Sequence, residues 1–203
     1  MITGNLFIIT AASGAGKTSL IKALLKEDTH LKLSISHTTR KPRPGETNGV
    51  DYHFVDEATF LTMLGAAQFL ECAEVHGARY GTSQSAVDGP LKAGFDVILE
   101  IDWQGAAQVR HLFPNAVSIF VLPPSLETLE QRLNSRGQDS QETISKRVAA
   151  AQSEMRHVGE FDYVTINDTF EVALQDIASI MRAQRLVVAV QLQRYASLIQ
   201  TLT

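Results

Sequence analysis

One cysteine, Cys72, is all that the 203-residue sequence contains, so no internal disulfide can staple the fold. It lies in an apolar stretch, where a buried structural thiol is expected rather than a nucleophile. The six histidines fall in no metal-ligand spacing and form no Ser-His-Asp arrangement, which argues against a structural zinc site and against a triad hydrolase. No apolar run approaches the roughly 20 residues that a membrane helix needs, and no cationic segment followed by an apolar one opens the chain. A cytoplasmic protein without membrane contact is therefore expected. A large charge imbalance is missing too: the net charge of −4 offers no basic footprint for nucleic acid. Internal repeats and low-complexity tracts are absent as well. What remains is an ordinary composition and a length sufficient for one domain with a full core, able to carry small subdomains over a site.

The most informative stretch is Ala11-Ala12-Ser13-Gly14-Ala15-Gly16-Lys17-Thr18. It follows the apolar run Leu6-Phe7-Ile8-Ile9 and opens a segment, residues 19–25, whose apolar positions recur at helical spacing. Strand, glycine loop and helix in that order form a phosphate-binding loop: backbone N–H groups converge on phosphate oxygens at the positive end of a helix. Lys17 is expected to reach the β- and γ-phosphates, and the Thr18 hydroxyl to hold a magnesium ion bridging them. Ala11 stands where the strict pattern has glycine, so the backbone there must avoid a glycine-only conformation.

A half-exposed strand over residues 31–36 gives way to His37-Thr38-Thr39-Arg40-Lys41-Pro42-Arg43-Pro44-Gly45-Glu46, whose two prolines require a loop. Arg40 and Arg43 held in that loop suit a phosphate, though a solvated basic loop fits equally. Residues 49–55 read as a strand, Asp56 as the cap of a short helix, and residues 69–75 as another strand turning back through Tyr80-Gly81-Thr82. Short strands around one short helix would make a small inserted lobe. Its polar residues Ser36, Arg40, Arg43, Tyr52, Glu71, Tyr80 and Thr82 could converge on one ligand. The alternatives are core-edge rings for the tyrosines and a solvated strand position for Glu71.

Residues 95–102 form a continuous apolar run, a buried parallel strand, ending in Glu100 and Asp102 on one face at the edge where ligands bind. An acid there can orient magnesium and its waters. Asp102 could instead cap the helix over residues 105–112. A third buried strand, residues 116–122, ends at Pro123-Pro124. Two helices then bear Arg132, Arg136, Lys146 and Arg147 around the turn Gly137-Gln138-Asp139-Ser140, with Asp139 and Glu142 as a capping box. Such a pair can close over a phosphate chain, or simply present solvated charges. A last strand, residues 163–166, ends in Asn167-Asp168, and Asp168 with Glu171 can cap one long C-terminal helix. Its stripe of Val188, Leu192, Tyr195, Ile199 and Leu202 is expected to pack on the protein's own sheet, with a subunit contact as the lesser reading.

Taken together, Ser13 to Lys17, Ser36 to Arg40 with Pro42-Arg43, Gly49 to Phe54, Tyr80 to Thr82, Ile101-Asp102 with Gln104-Gly105, and Asn167-Asp168 resemble bacterial guanylate kinase over nearly the whole chain. The resemblance implies an α/β protein of the P-loop NTPase fold, a parallel sheet flanked by helices with a small α+β GMP-binding lobe and a helical lid. It implies a core of about residues 1–33, 83–124 and 160–203, a lobe of about 34–82 and a lid of about 125–159. The implied reaction transfers the γ-phosphate of ATP to GMP with magnesium. In that reading Ala11, Ala12, Ser13, Gly14, Ala15, Gly16, Lys17 and Thr18 cradle ATP. Arg132, Arg136 and Arg147 reach its phosphates, and Asn167 lies near adenine or ribose. Arg40, Arg43, Tyr52 and Tyr80 hold the GMP phosphate, and Ser36, Glu71 and Thr82 hold guanine. Asp102 and Glu100 lie near guanine and the metal, Thr18 being the direct metal ligand with Asp102 acting through water. Lys17, Arg40, Arg136 and Arg147 are the catalytic set. Guanine presents adjacent N1–H and N2–H donors that one carboxylate accepts together, which singles out Glu71 for base selection. Ala11 and Ala12 in place of the commoner Gly-Pro, and Glu100 where aspartate is frequent, are the departures. A related kinase acting on a ribosyl phosphate would have little use for Glu71. A non-catalytic interaction module would usually lack the intact loop. ATP and GMP are the expected partners, with a homo-oligomer through the C-terminal helix as an option.

Overall fold

In the computed structural model, residues 3–75, 77–134 and 141–203 are described, residues 141–143 through their backbone only. Strand β1, Leu6–Ala11, leads through the glycine loop into helix α1, Lys17–Glu27. Strand β2, Leu31–Ser34, precedes the inserted lobe, which comprises β3 (His37–Thr38), β4 (His53–Phe54), α2 (Glu57–Gly65), β5 (Phe69–Val75) and β6 (Ala78–Ser83). The core resumes with α3 (Gln84–Lys92), β7 (Asp96–Glu100), α4 (Trp103–Leu112) and β8 (Val117–Leu122). Helices α5 (Leu126–Asn134) and α6 (Gln141–Met155) and a 3-10 turn over Arg156–Glu160 occupy the segment expected to be the lid. Strand β9, Tyr163–Ile166, and helices α7 (Phe170–Arg185), α8 (Val188–Arg194) and α9 (Ala196–Leu202) complete the chain.

The main sheet is parallel throughout, in the order β2-β7-β1-β8-β9. Alternation along β1 explains why both faces are apolar: Phe7 and Ile9 enter one core with Leu20, Ile21 and Leu24 of α1 and Ile177 and Met181 of α7. Ile8 enters the other with Val87 of α3 and Val109 of α4. Sheet order reverses about β1, so the loop after it opens at the carboxyl edge of the sheet, where α/β folds bind ligands. A third cluster, Leu129, Leu133, Ile144 and Ala151, packs the lid helices onto Ala12 of the loop itself.

The lobe is a second sheet, β4-β3-β6-β5. Its centre is aromatic: the Phe60 and Phe69 rings stack at 4.6 Å, and Gly81 gives them room, since a Cβ there would lie 2.9 Å from Phe69. Asp56 caps α2 as expected, accepting from the Thr59 N–H at 2.7 Å.

Four local expectations are corrected. Within residues 49–55 only His53–Phe54 is strand; the preceding residues close a turn in which the Asp51 carboxylate accepts from the Thr47 N–H and Gly49 takes a left-handed φ of 77°. Cys72 is half-buried rather than buried, because alternation along β5 turns the neighbouring Glu71 inward. Asp168 does not cap α7, whose cap residue Thr169 makes no side-chain bond. The long C-terminal helix is three helices, interrupted at Val187, which is extended, and again at Tyr195. The Gln191 amide donates to the Arg185 carbonyl at 2.6 Å and folds α8 back, so the stripe does not reach the sheet: Val188 is 71 % and Leu202 75 % exposed. Arg136, the turn over residues 137–140 and, with Asp139 and the side chain of Glu142, the capping box lie outside the described residues.

Candidate active site

Two glycines shape the phosphate loop. Gly14 and Gly16 hold left-handed φ values of 94° and 98°, which only glycine adopts without strain. Gly16 carries a second constraint, since a Cβ would run into the Asn167 amide that donates to the Ala15 carbonyl at 2.7 Å. Ala11 ends β1 and Ala12 is buried on the lid cluster, neither with positive φ, so alanine suffices at both positions. Helix α1 starts at Lys17 with no side-chain cap, which leaves its first N–H groups to an anion. The Lys17 ammonium donates to the Ile101 carbonyl at 3.1 Å, and the Thr18 hydroxyl donates to Glu100 at 2.5 Å.

Across the cleft, β5 and β6 pair Glu71 opposite Thr82. The Ser36 and Thr82 hydroxyls lie 3.1 Å apart, and Glu71, only 3 % exposed, hydrogen-bonds to Thr82. Burial pushes the Glu71 carboxyl up from its usual 4.5 to about 7, and the nearby charge of Asp102 pushes the same way against the Thr82 bonds and Lys17. Tyr52 meets Tyr80 edge to face at 5.9 Å, and burial, with Glu100 nearby, raises its phenol. Arg40 forks onto Glu46 at 2.8 and 3.0 Å beneath the Tyr52 ring.

One cleft of about 250 Å³ joins the two sides. Ser13, Gly14, Gly16, Lys17 and Thr18 line it from the loop; Ser36, Arg43, Tyr52, Glu71 and Tyr80 line it from the lobe; Glu100 and Asp102 line it from the sheet edge. Ala11 and Ala12 border it as well. Ala15, Thr82 and Arg40 stand behind this lining. Arg132 and Asn167 brace the back of the loop, Arg132 donating to the Asn167 carbonyl at 2.9 Å. Arg147 reaches the loop mouth, donating to the Ser13 hydroxyl at 3.1 Å.

The acid beside Thr18 is Glu100, not Asp102. Both leave the sheet on one face, but β7 ends at Glu100, and Asp102 has already turned to cap α4, accepting from the Gly105 N–H at 2.9 Å. Oxygen donors at Thr18 and Glu100 suit a hard cation, and no cluster of three acids, histidines or cysteines exists among the described residues. An ion here would take most of its ligands from phosphate and water.

Sequence reasoning missed four participants. Glu154 of α6 accepts from the Ser13 N–H at 3.2 Å, and Glu46 engages Arg40. Trp103 lines the cleft and stacks on His157 of the lid region at 3.6 Å. Gly105 abuts Glu71. Glu46 sits six residues from Arg40 and could have been found; Glu154 lies 141 residues from its partner and carries no local signal.

The chain matches the guanylate kinase family model over residues 3–184. It is 66 % identical over 199 residues to a guanylate kinase of Methylobacillus flagellatus and 55 % identical over 199 residues to one of Dechloromonas aromatica, covering 98 % of both chains in each case. The crystal structure of guanylate kinase from Anaplasma phagocytophilum superposes with a TM-score of 0.79 at 31 % identity, over 95 % of this chain and 93 % of that one.

Proposed function

The chain belongs to the guanylate kinase family and is an ATP:GMP phosphotransferase, and from that premise we propose how its residues divide the work. The core is about residues 1–33, 83–124 and 160–203, the GMP lobe about 34–82, and the lid about 125–159. ATP lies along residues 11–18 with its γ-phosphate toward Lys17, and Asn167 lies on the adenine or ribose side. GMP lies across the cleft, guanine on Ser36, Glu71, Thr82 and Asp102, phosphate on Arg43, Tyr52 and Tyr80. The observation that carries this reading is the single cleft lined by the phosphate loop on one wall and by Glu71 and the two tyrosines on the other.

The acceptor is a phosphate oxygen already ionised near neutral pH, so no general base is required. Catalysis consists of in-line positioning and neutralisation of charge on the transferring phosphoryl group. Lys17 leaves the Ile101 carbonyl for the phosphates, and Arg40 exchanges Glu46 for the GMP phosphate. Arg132 and Arg147 close on the donor from the lid, joined by Arg136 on the strength of the family resemblance. The Thr18 hydroxyl and the Glu100 carboxylate would hold a magnesium ion brought in with ATP, which would supply further charge neutralisation there. Lid closure excludes water from the γ-phosphate.

No helix among the described residues is long and apolar enough to cross a membrane. The exposed stripe on α8 and α9 supports a homo-oligomeric contact. Neither a ribosyl phosphate acceptor nor a binding-only role is favoured, given a buried carboxylate opposite an intact loop. A coupled ADP-release assay with magnesium-ATP and GMP, AMP, UMP or a ribosyl phosphate tests the base reading: strong turnover with GMP alone is expected. Equal turnover with AMP would remove Glu71 from base selection.

A further inference from the structure

Gly105 occupies the first turn of α4 with ordinary helical backbone. Its conformation does not call for glycine, and its N–H bond to Asp102 could be made by any residue but proline. Glycine at a helical position costs roughly 0.5–1 kcal/mol relative to alanine, and what distinguishes Gly105 is what stands opposite it. The other glycines in helical segments, Gly65, Gly89 and Gly159, would meet nothing within 4 Å if given a Cβ. A Cβ on Gly105 would overlap the Glu71 Oε2 atom, lie 3.0 Å from its Cδ and come 3.4 Å from Asp102 Oδ1.

Glu71 has little room to retreat. It is buried and bonded to Thr82, and Asp102 stands beside it. The backbone is restrained too, because Gln108 of α4 clamps β5 through both backbone groups of Cys72. Its Oε1 accepts from the Cys72 N–H at 3.2 Å and its Nε2 donates to the Cys72 carbonyl at 2.8 Å. The clamp sets the spacing between the helix and the strand that carries Glu71.

We infer that Gly105 and the Gln108 clamp are specificity-positioning elements, which together seat the Glu71 carboxylate against α4 at the place where it meets the guanine edge. The inference rests on the reading of Glu71 as the guanine acceptor. It moves part of base selection from the lobe to a core helix that touches no substrate in that reading through these two residues.

Steady-state kinetics of Gly105→Ala and Gln108→Ala, with Glu71→Gln in parallel, test it. In Gly105→Ala the GMP KM is expected to rise about tenfold or more and preference over AMP to fall with it. The ATP KM and the kcat at saturating GMP should stay within about twofold, as for lost ground-state positioning. The melting temperature is expected to fall, because the added Cβ has little free room against Glu71 and the helix preference of alanine offsets only part of that cost; a merely structural glycine would show this fall with the GMP KM unchanged. Adding Glu71→Asp, which withdraws the carboxylate by one methylene, should recover part of the GMP KM, a coupling that only a shared site produces. Gln108→Ala, at an exposed position, should raise the GMP KM alone and serves if Gly105→Ala does not fold. An unchanged GMP KM in these variants while Glu71→Gln is impaired would overturn the positioning role by itself. An unchanged GMP KM in Glu71→Gln would overturn the reading beneath it, and the inference with it.

Discussion

In the proposed site, Glu71 and Lys17 would do opposite electrostatic work within one cleft. Lys17→Ala is expected to fold normally and lose kcat by at least about a hundredfold, since it removes a cation from the developing phosphoryl charge. Wild-type turnover in that variant would free Lys17 of its role. Burial brings Glu71 into the accessible range, and as the proposed acceptor of the guanine donors it would act in its carboxylate form. With the folded pKa near 7, about a tenth is ionised one unit below, so the GMP KM should be roughly tenfold higher at pH 6 than at pH 8. Glu71→Gln should flatten that profile. Stability runs the other way. Because the folded-state pKa lies above the usual 4.5, the folded protein binds more protons than the unfolded chain between these values. Glu71 therefore favours the unliganded fold at low pH, and that stability is lost as pH rises from 4.5 through about 7. Urea unfolding should find Glu71→Gln more stable relative to wild type at pH 8 than at pH 5; parallel shifts at both pH values would contradict the burial argument.

At the scale of elements, each wall of the cleft is held by contacts distant in sequence. Helix α6 places the Glu154 carboxylate on the Ser13 N–H, a donor of the phosphate loop, so ATP bound there as proposed would displace a like charge. Glu154→Gln should lower the ATP KM several-fold with the GMP KM unchanged, readable by varying each substrate against saturating partner. An ATP KM that does not move would mean that the contact yields at no cost. At the far end of the sheet, Arg185 of α7 bridges Asp96 and Asp28 at 2.6 Å each, with Asp96 almost fully buried. Arg185→Ala leaves that carboxylate with only its bonds to Asn5, and should cost roughly 2 kcal/mol or more in denaturant unfolding.

For the molecule as a whole, the order of elements was legible because each obeys a local rule. The β1 run is apolar at consecutive positions because a central parallel strand is buried on both faces. The loop was legible because Gly14 and Gly16 supply the positive φ values that it needs. The C-terminal stripe was misread, since helical spacing records only that apolar residues share a face. It could not register the break at Val187 that carries this face into solvent. If the exposed α8–α9 surface joins two copies, Leu192→Glu should reduce the mass measured by light scattering; an unchanged mass would leave that face uninvolved.

By itself the sequence determined the phosphate loop, the parallel core and the presence of an inserted lobe whose polar residues could converge on one ligand. These depend on backbone conformation, alternation and side-chain chemistry, all properties of short stretches of chain. Only the tertiary structure decided that Glu71 is buried and not solvated, that Glu100 rather than Asp102 stands beside Thr18, and that Glu154 meets Ser13 and Gly105 abuts Glu71. The reason is physical: burial, carboxylate pKa and steric room depend on what packs opposite a residue, and that neighbour is chosen by the fold.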